Sequence, residues 1–539
     1  MSCSKIFSGD LPELINEIIK NFQNDYSTLH SCILVNRLWC RLAIPLLWEN
    51  PFSISTGNYN FIEIYLYNLN DHLKTKLNEY QIIDCFLPSN TLFNYPSFIR
   101  YLNIRKITPS IEKWLEANDV TSKFSNIYFL PNLILESVLE FKRLINMSLI
   151  KLFIENEVNL HTFEIEINTY NSEYCDNILE MILQNPNFIN KIGNLKVSIL
   201  CSSTLTDNRV LQIINSHQNL KRILLGYDNL SLYQSLLLSK ESSCSNTLNT
   251  IIFYSINLNG IINLVKVFEK LNVLESVHII YCSYLGNFIQ HIINLTKPFK
   301  LKSLFISGKL QIDLSQALLQ KSGNYLENFG YENYFEGSDY VTIYNQSFKQ
   351  QLLELVIKYC RNIKFLDLDR FKIHITSPIF DLIENIKQKL NYLSISVRNC
   401  EDSNINLILQ NLGKTLPSKL EYLNLILYIE AKDFEVFLKN SQDIFFKKLL
   451  INNVMREYNE NINILPYIKE YIMKKKRVKY LAIKNTLISR YNRYNRYNRK
   501  NVDLFNLKDE VKEFNLHNIK VLGYTNLSTD IYKFVNENN

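Results

Sequence analysis

Cysteine and histidine are the residue types whose spacing most often reveals a zinc site in a sequence. The ten cysteines include no C-x-x-C pair, and none of the eight histidines belongs to an H-E-x-x-H motif. His278 and Cys282 are four residues apart, but along a strand and turn that spacing does not bring two ligands together. We therefore predict no metal site and reduced thiols, as in a protein of the cytoplasm or the nucleus.

The glycine spacing excludes the common phosphate-binding loops. Twelve glycines occur, and the most closely spaced, Gly323, Gly330 and Gly337, are seven residues apart. A P-loop, a G-x-G-x-x-G turn and a G-x-S-x-G elbow all need closer glycines. Because no other catalytic spacing is present, we assign no catalytic residues and no cofactor, and we predict that the chain is not an enzyme.

One basic segment could contact nucleic acid. Residues 474–500 hold eleven Lys and Arg and no acid, so subtracting them from the formal net charge of +7 leaves −4 for the other residues. The strings KKKRVK and RYNRYNRYNR would suit a nuclear import signal, or phosphate and base contacts. The alternative, which we favour, is a repeat strand with solvated lysines followed by an exposed insertion at 489–500. We therefore do not expect nucleic acid as a partner.

A repeated L-x-x-L-x-L pattern organises most of the chain. Its copies starting at residues 220, 248, 274, 301 and 326 are 28, 26, 27 and 25 residues apart. Further copies start at 363, 390, 420, 446, 478 and 519, and irregular ones at 99, 124 and 160. Leucine-rich repeats have periods of roughly 20 to 29 residues, each with a strand and a helical or irregular return. The pattern resembles a degenerate form of these repeats.

The N-terminal residues LPELINEIIKNFQNDYSTLHSCILVNRLWCRLAIPLLWEN, from Leu11 to Asn50, predict a small helical module. Asp10 can cap a first helix, and an apolar stripe follows from Ile15 to Phe22 at helical spacing. Further helices are expected from Ser27 and from about Asn36. A module this small has more apolar residues than it can bury, so we expect a partner surface.

This module resembles an F-box, the family that docks on the small adaptor subunit of cullin-based ubiquitin ligases. The resemblance implies a docking face on the LPELI and VNRLW strings, made of Leu11, Pro12, Leu14, Ile15, Ile18, Val35 and Trp39. The alternative is that both strings are core residues of an ordinary helical N-terminus.

The predicted fold class is therefore α/β, with an all-helical F-box followed by a leucine-rich-repeat-like solenoid, or horseshoe. We place the F-box at residues 8–52, transition helices at 53–95 and the solenoid at 96–539. A composition of 47% hydrophobic and 21% charged residues suits a soluble protein. No apolar stretch of 18 residues and no secretory signal is present, so no membrane contact is expected.

The predicted function is that of a substrate receptor in a cullin-RING ubiquitin ligase, with the adaptor, and through it cullin, as partners. A target protein would bind the inner strand surface, where the side chains between the leucines point. The candidate residues there are Tyr254, His278, Phe305, Asp367, Tyr392 and Tyr422. The alternative function is a scaffold whose repeats bind a protein without ligase activity.

Overall fold

The computed structural model shows an α/β protein whose strands are mostly parallel and alternate with helices. The structure describes residues 12–23, 25–53, 59–80, 91–120, 122, 131–167, 172–200, 204–217, 219–226, 243–259, 263–307, 310–332, 340–371, 376–397, 405–455, 463–488 and 499–538. The chain forms two compact units. Unit 1 comprises residues 1–249 and 271–273, and unit 2 comprises residues 250–270 and 274–539.

Unit 1 begins with three short helices, which we call the N-terminal module. They are α1 (Pro12–Lys20), α2 (Tyr26–Cys32) and α3 (Arg37–Leu47). The side chain of Asp25 accepts a hydrogen bond from the Thr28 amide, and that of Asn36 accepts from the Leu38 and Trp39 amides. These side chains satisfy amides that a helix start leaves unpaired, which explains where α2 and α3 begin.

The other elements of unit 1 are transition helices and an alternation of strands and helices. They are α4 (Phe61–Tyr67), α5 (Asp71–Asn78), β1 (Tyr101–Asn103), α6 (Ile104–Ala117), α7 (Pro131–Glu155), β2 (Thr162–Ile167), α8 (Ser172–Leu183), α9 (Pro186–Asn190), β3 (Asn194–Ile199), α10 (Thr204–His217) and β4 (Leu220–Gly226). Strands β1 to β4 pair in parallel and in sequence order.

One buried carboxyl in α10 gives unit 1 a predicted pH dependence. Asp207 is buried, its Oδ1 has no hydrogen-bond partner among the described residues, and burial raises its pKa to about 6. Since the folded chain holds this proton more tightly than the unfolded chain, the contribution of Asp207 to the free energy of unfolding is greatest below its ordinary pKa of 3.8 and is lost as pH rises through 6.

We therefore expect Asp207→Asn to be more stable than the unmodified chain at pH 7 by about 1 to 2 kcal/mol, allowing for solvent screening. Urea unfolding at pH 4.5 and pH 7 measures this difference. The gap between the two proteins should shrink at the lower pH. A gap that stays constant would show that the Asp207 carboxyl does not titrate in this window.

Unit 2 repeats the strand and helix alternation. Its elements are β5 (Thr250–Tyr254), α11 (Leu264–Lys270), β6 (Ser276–Cys282), α12 (Leu285–Ile293), β7 (Leu301–Ser307), α13 (Ile312–Ser322), β8 (Asn328–Glu332), α14 (Tyr340–Tyr359), β9 (Phe365–Phe371), α15 (Thr376–Ile386), β10 (Tyr392–Val397), α16 (Ile405–Thr415), β11 (Tyr422–Leu427), α17 (Ala431–Asn440), β12 (Phe446–Met455), α18 (Leu465–Ile468), β13 (Val478–Ile488), β14 (Arg499–Asp503), α19 (Lys508–Leu516), β15 (Lys520–Val521), α20 (Tyr524–Leu527) and α21 (Ile531–Asn538). Strands β5 to β13 pair in parallel and in sequence order.

The strands lie where the leucine pattern predicts them, with three corrections. The first copy gives only the three-residue β1, because Ile104 already begins a helix. The last gives the two-residue β15, since Tyr524 begins α20. Strand β3 was missed, although Ile192, Leu195 and Val197 have the same spacing. The copy starting at residue 124 lies outside the described residues.

The basic segment forms part of the sheet of unit 2. Strand β14 pairs antiparallel with β13, so Arg499 and Lys500 belong to a strand and not to the predicted insertion at 489–500. Residues 489–498 lie outside the described part of the chain. Arg477 is buried and donates hydrogen bonds to the carbonyls of Leu438, Ser441 and Ile444. It stabilises the end of α17 and is not available to a nucleic acid.

Candidate functional site

The N-terminal module has a core of its own. Ile15 and Ile19 of α1, Leu29 and Cys32 of α2, and Trp39 and Ala43 of α3 form one buried cluster. Phe22, Ile33, Leu38, Leu42, Leu46 and Leu47 pack against it. The structure therefore corrects the predicted roles of Ile15 and Trp39, which hold the three helices together and do not lie on the surface.

Other predicted docking residues do face solvent. Leu14 is 44% exposed and Val35 is 46% exposed, while Pro12 is exposed and Ile18 is half-buried. Leu34, which the sequence analysis missed, is 76% exposed. Leu34 and Val35 occupy the turn between α2 and α3, where neither helix can cover them. Leu11 lies outside the described residues.

Two residues after α3 attach the module to the rest of unit 1. Trp48 contacts Tyr65 edge-on at a centroid distance of 5.3 Å and Tyr95 at 4.3 Å. The carbonyl of Glu49 accepts hydrogen bonds from the Arg100 and Tyr101 amides at 2.9 and 3.2 Å. The apolar excess of the module is thus partly buried within the chain. Among its described residues, the large apolar side chains that stay exposed are Leu14, Leu34 and Val35.

A second surface is formed by the side chains of β5 to β13 that point away from the buried leucines. We call it the strand face, and the sheet register arranges it in two rows. The first row is Ile252, His278, Ser303, Asn328, Phe365, Tyr392, Tyr422, Lys448 and Tyr480. The second row is Tyr254, Ile280, Phe305, Gly330, Asp367, Ser394, Asn424, Leu450 and Ala482.

The strand face brings together all six predicted target-binding residues, but it exposes only some of them. Tyr254, Asp367 and Tyr392 are half-buried. His278, Phe305 and Tyr422 are buried, which corrects the expectation that a target could reach them directly.

Close packing within the sheet buries two of these residues. His278 Nδ1 is 2.7 Å from the Ser303 hydroxyl, which also accepts a hydrogen bond from Asn328 at 2.8 Å. The ring of Phe305 lies over Gly330, where an added Cβ would come within 2.3 Å of it. Gly330 thus supplies the space that Phe305 needs.

Tyr422 is buried by the C-terminal segment, which we define as residues 524–538. The Tyr422 hydroxyl accepts a hydrogen bond from the Thr529 amide at 3.2 Å. Tyr524 and Leu527 pack in one buried cluster with Tyr422, and the Tyr524 hydroxyl donates to Asn424 at 2.6 Å. Burial raises the pKa of Tyr422 to about 12, so this hydroxyl is neutral at physiological pH.

Helix α21 of the same segment covers the middle of the strand face. The ring of Tyr532 lies 4.8 Å from that of Tyr254. The ring of Phe534 lies 4.8 Å from both Phe365 and Tyr392. The L-x-x-L-x-L pattern does not predict this cover, because α21 follows Tyr392 by more than a hundred residues.

A cavity of about 440 Å³ remains between the strand face and the C-terminal segment. Three carboxylates line it, from Asp367, Asp369 and Asp530. The rings of Tyr254, Tyr281 and Tyr532 also line it, with small polar side chains from β10 and β11. Acidic groups beside aromatic faces suit a cation.

Among the residues that the structure describes, no group of three or more His, Cys, Asp or Glu is placed to hold a metal ion. The described cysteines Cys32, Cys40, Cys175, Cys282 and Cys360 form no disulfide bond. No described helix is long and apolar enough to cross a membrane.

Comparison with known proteins gives no match: no family model fits the chain, and no curated protein resembles it significantly. We therefore infer the function from the N-terminal module and the strand face.

Proposed function

We propose that the chain is the substrate receptor of a cullin-RING ubiquitin ligase, acting in the cytoplasm or the nucleus. In this proposal the N-terminal module is an F-box that binds the adaptor subunit. The strand and helix alternation is a leucine-rich-repeat-like solenoid that binds the target. The chain performs no chemistry, and its role is to hold the target near the ubiquitin-conjugating enzyme, which raises their effective concentration.

The observation that carries the proposal is the exposed Leu34–Val35 turn on an otherwise well-packed three-helix module. Large apolar side chains that a folded module leaves in solvent are typical of an interaction surface. The turn leads into the VNRLW string, where the F-box resemblance expects docking. Leu14, from the other string of the resemblance, is exposed as well.

The strand face supports the second half of the proposal. Tyr254, Asp367 and Tyr392 combine aromatic surface with a carboxylate, a composition that favours recognition of a protein. Tyr254 stands on β5, Asp367 on β9 and Tyr392 on β10 of one parallel sheet, so the sheet fixes their positions. Rigid elements hold a binding surface more accurately than loops do.

Affinity purification of the full-length chain from cells tests the proposal against the scaffold alternative. We expect the adaptor and cullin to co-purify with it, together with a protein bound through the repeats. Recovery of that protein without adaptor and cullin would support the scaffold and contradict the ligase. Tyr392→Ala should reduce the bound protein and leave adaptor and cullin unchanged.

A further inference from the structure

We propose that the strand face is a groove for a short aromatic helix, and that α21 occupies it as a built-in competitor of the target. The target would then present a helix with aromatic side chains at the positions of Tyr532 and Phe534, and a basic side chain for the cavity. This inference rests on the proposed function, because it places the target on the strand face.

The seating of α21 shows what the groove accepts. Ile531 and Val535 are buried, and Tyr532 and Phe534 contact rings of the strand face. These four residues fall at positions i, i+1, i+3 and i+4, which together form one side of a helix. Lys533, between them, is exposed and marks the opposite side.

Helix α21 depends on the strand face for its own structure. It has eight residues, and helices shorter than about 12 residues are marginal in water by themselves. The Asp530 side chain caps it by accepting a hydrogen bond from the Lys533 amide at 2.7 Å. Because α21 is held by one cap and one packed side, we expect it to open locally before the sheet does.

The cavity explains how a target could compete successfully. A tethered segment has an effective concentration in the millimolar range, so a free ligand must make better contacts to displace it. Helix α21 leaves the 440 Å³ cavity unfilled. A target side chain that fills it adds contacts that α21 lacks. The carboxylates of Asp367 and Asp369 stay on the strand face when α21 leaves it, and they favour a positively charged side chain there.

The test uses the full-length chain and, as probe, a fluorescein-labelled peptide with the sequence of residues 524–538. In the release variant, Tyr532→Ala is combined with Phe534→Ala, which weakens the competitor and leaves the groove intact. We expect this variant to bind the peptide at least about tenfold more tightly than the unmodified chain. The control Lys533→Ala, on the exposed side of α21, should bind as weakly as the unmodified chain.

Peptide variants define what the groove recognises. A peptide with Tyr532→Ala and Phe534→Ala should bind the release variant at least about tenfold more weakly than the native peptide. A peptide with Ser528→Lys, which brings an ammonium group to the cavity, should bind more tightly than the native peptide. Equal or weaker binding of the Ser528→Lys peptide would contradict the proposal that the target places a basic side chain in the cavity. Equal binding of the native peptide by the release variant and the unmodified chain would overturn the proposal.

Amide hydrogen exchange on the unmodified chain gives a second reading that needs no substitution. Amides of α21 should exchange at least about tenfold faster than those of β10 and β11. Exchange as slow as in these strands would make α21 a permanent part of the fold and overturn the proposal. Adaptor binding is measured on the same proteins. If the unmodified chain does not bind the adaptor, that result counts against the proposed function and not against the groove.

Discussion

Replacing Leu34 and Val35 together by Asp is expected to weaken adaptor binding at least about 100-fold. Burying one side chain of this size contributes about 1.5 to 3 kcal/mol, so losing two costs about 3 to 6 kcal/mol, and each 1.4 kcal/mol is a factor of ten. Both residues lie in a solvent-exposed turn, so the core around Ile15 and Trp39 should stay folded. Calorimetric titration of purified adaptor into the full-length chain measures the change.

The matched control is Leu516→Asp, the same kind of substitution at a leucine that is 84% exposed in α19. It should leave adaptor binding unchanged. Trp39→Ala should also lose adaptor binding, but through unfolding of the module, seen as lost helical circular dichroism. If the Leu34→Asp, Val35→Asp double variant binds the adaptor as the unmodified chain does, the docking surface lies elsewhere.

Replacing Arg477 by Ala is expected to lower the free energy of unfolding by about 3 kcal/mol or more. The guanidinium donates to the buried carbonyls of Leu438 at 3.2 Å and Ile444 at 3.2 Å, and to that of Ser441. Its removal takes the guanidinium donor from the Leu438 and Ile444 carbonyls, whereas the Ser441 carbonyl keeps the Ile444 amide at 3.1 Å. Each unsatisfied buried group costs about 1 to 3 kcal/mol. Urea unfolding followed by tyrosine and tryptophan fluorescence measures the loss.

Two substitutions separate geometry from charge at this position. Arg477→Lys keeps the charge but reaches fewer carbonyls, so an intermediate loss is expected. Lys474→Ala removes a charge from the exposed part of the same basic run and should change stability by less than about 0.5 kcal/mol. Equal stability of Arg477→Ala and Lys474→Ala would mean that the buried hydrogen bonds contribute nothing.

The strands could be predicted from the sequence because their apolar residues face a buried layer in every repeat. The spacing Leu301, Leu304, Ile306 gives β7 directly, since all three side chains are buried. The same spacing was available for β3 and was overlooked. Strand β14 could not be predicted in this way, because its sequence RKNVD lacks that spacing and its position depends on pairing with β13.

The burial of individual site residues could not be predicted, because it depends on contacts between distant parts of the chain. An apolar stripe on a short helix does not tell whether Trp39 faces its own module or a partner. Likewise Tyr422 lies on the predicted face, but the hydrogen bond that its hydroxyl accepts comes from Thr529, more than a hundred residues later. In the sequence, Arg477 is one of several neighbouring basic residues that could all be exposed. Its burial depends on the end of α17, whose Leu438 carbonyl accepts a hydrogen bond from it.

The most direct test of the account is ubiquitin transfer to the protein that the repeats capture. The assay combines the full-length chain, adaptor, cullin and RING subunits, activating and conjugating enzymes, ubiquitin and the captured protein. We predict ubiquitin chains on that protein with the unmodified chain, and none with the Leu34→Asp, Val35→Asp variant, although this variant still captures its target. Captured protein without ubiquitin, in an assembly where adaptor and cullin are bound to the unmodified chain, would contradict the assignment as a ligase receptor.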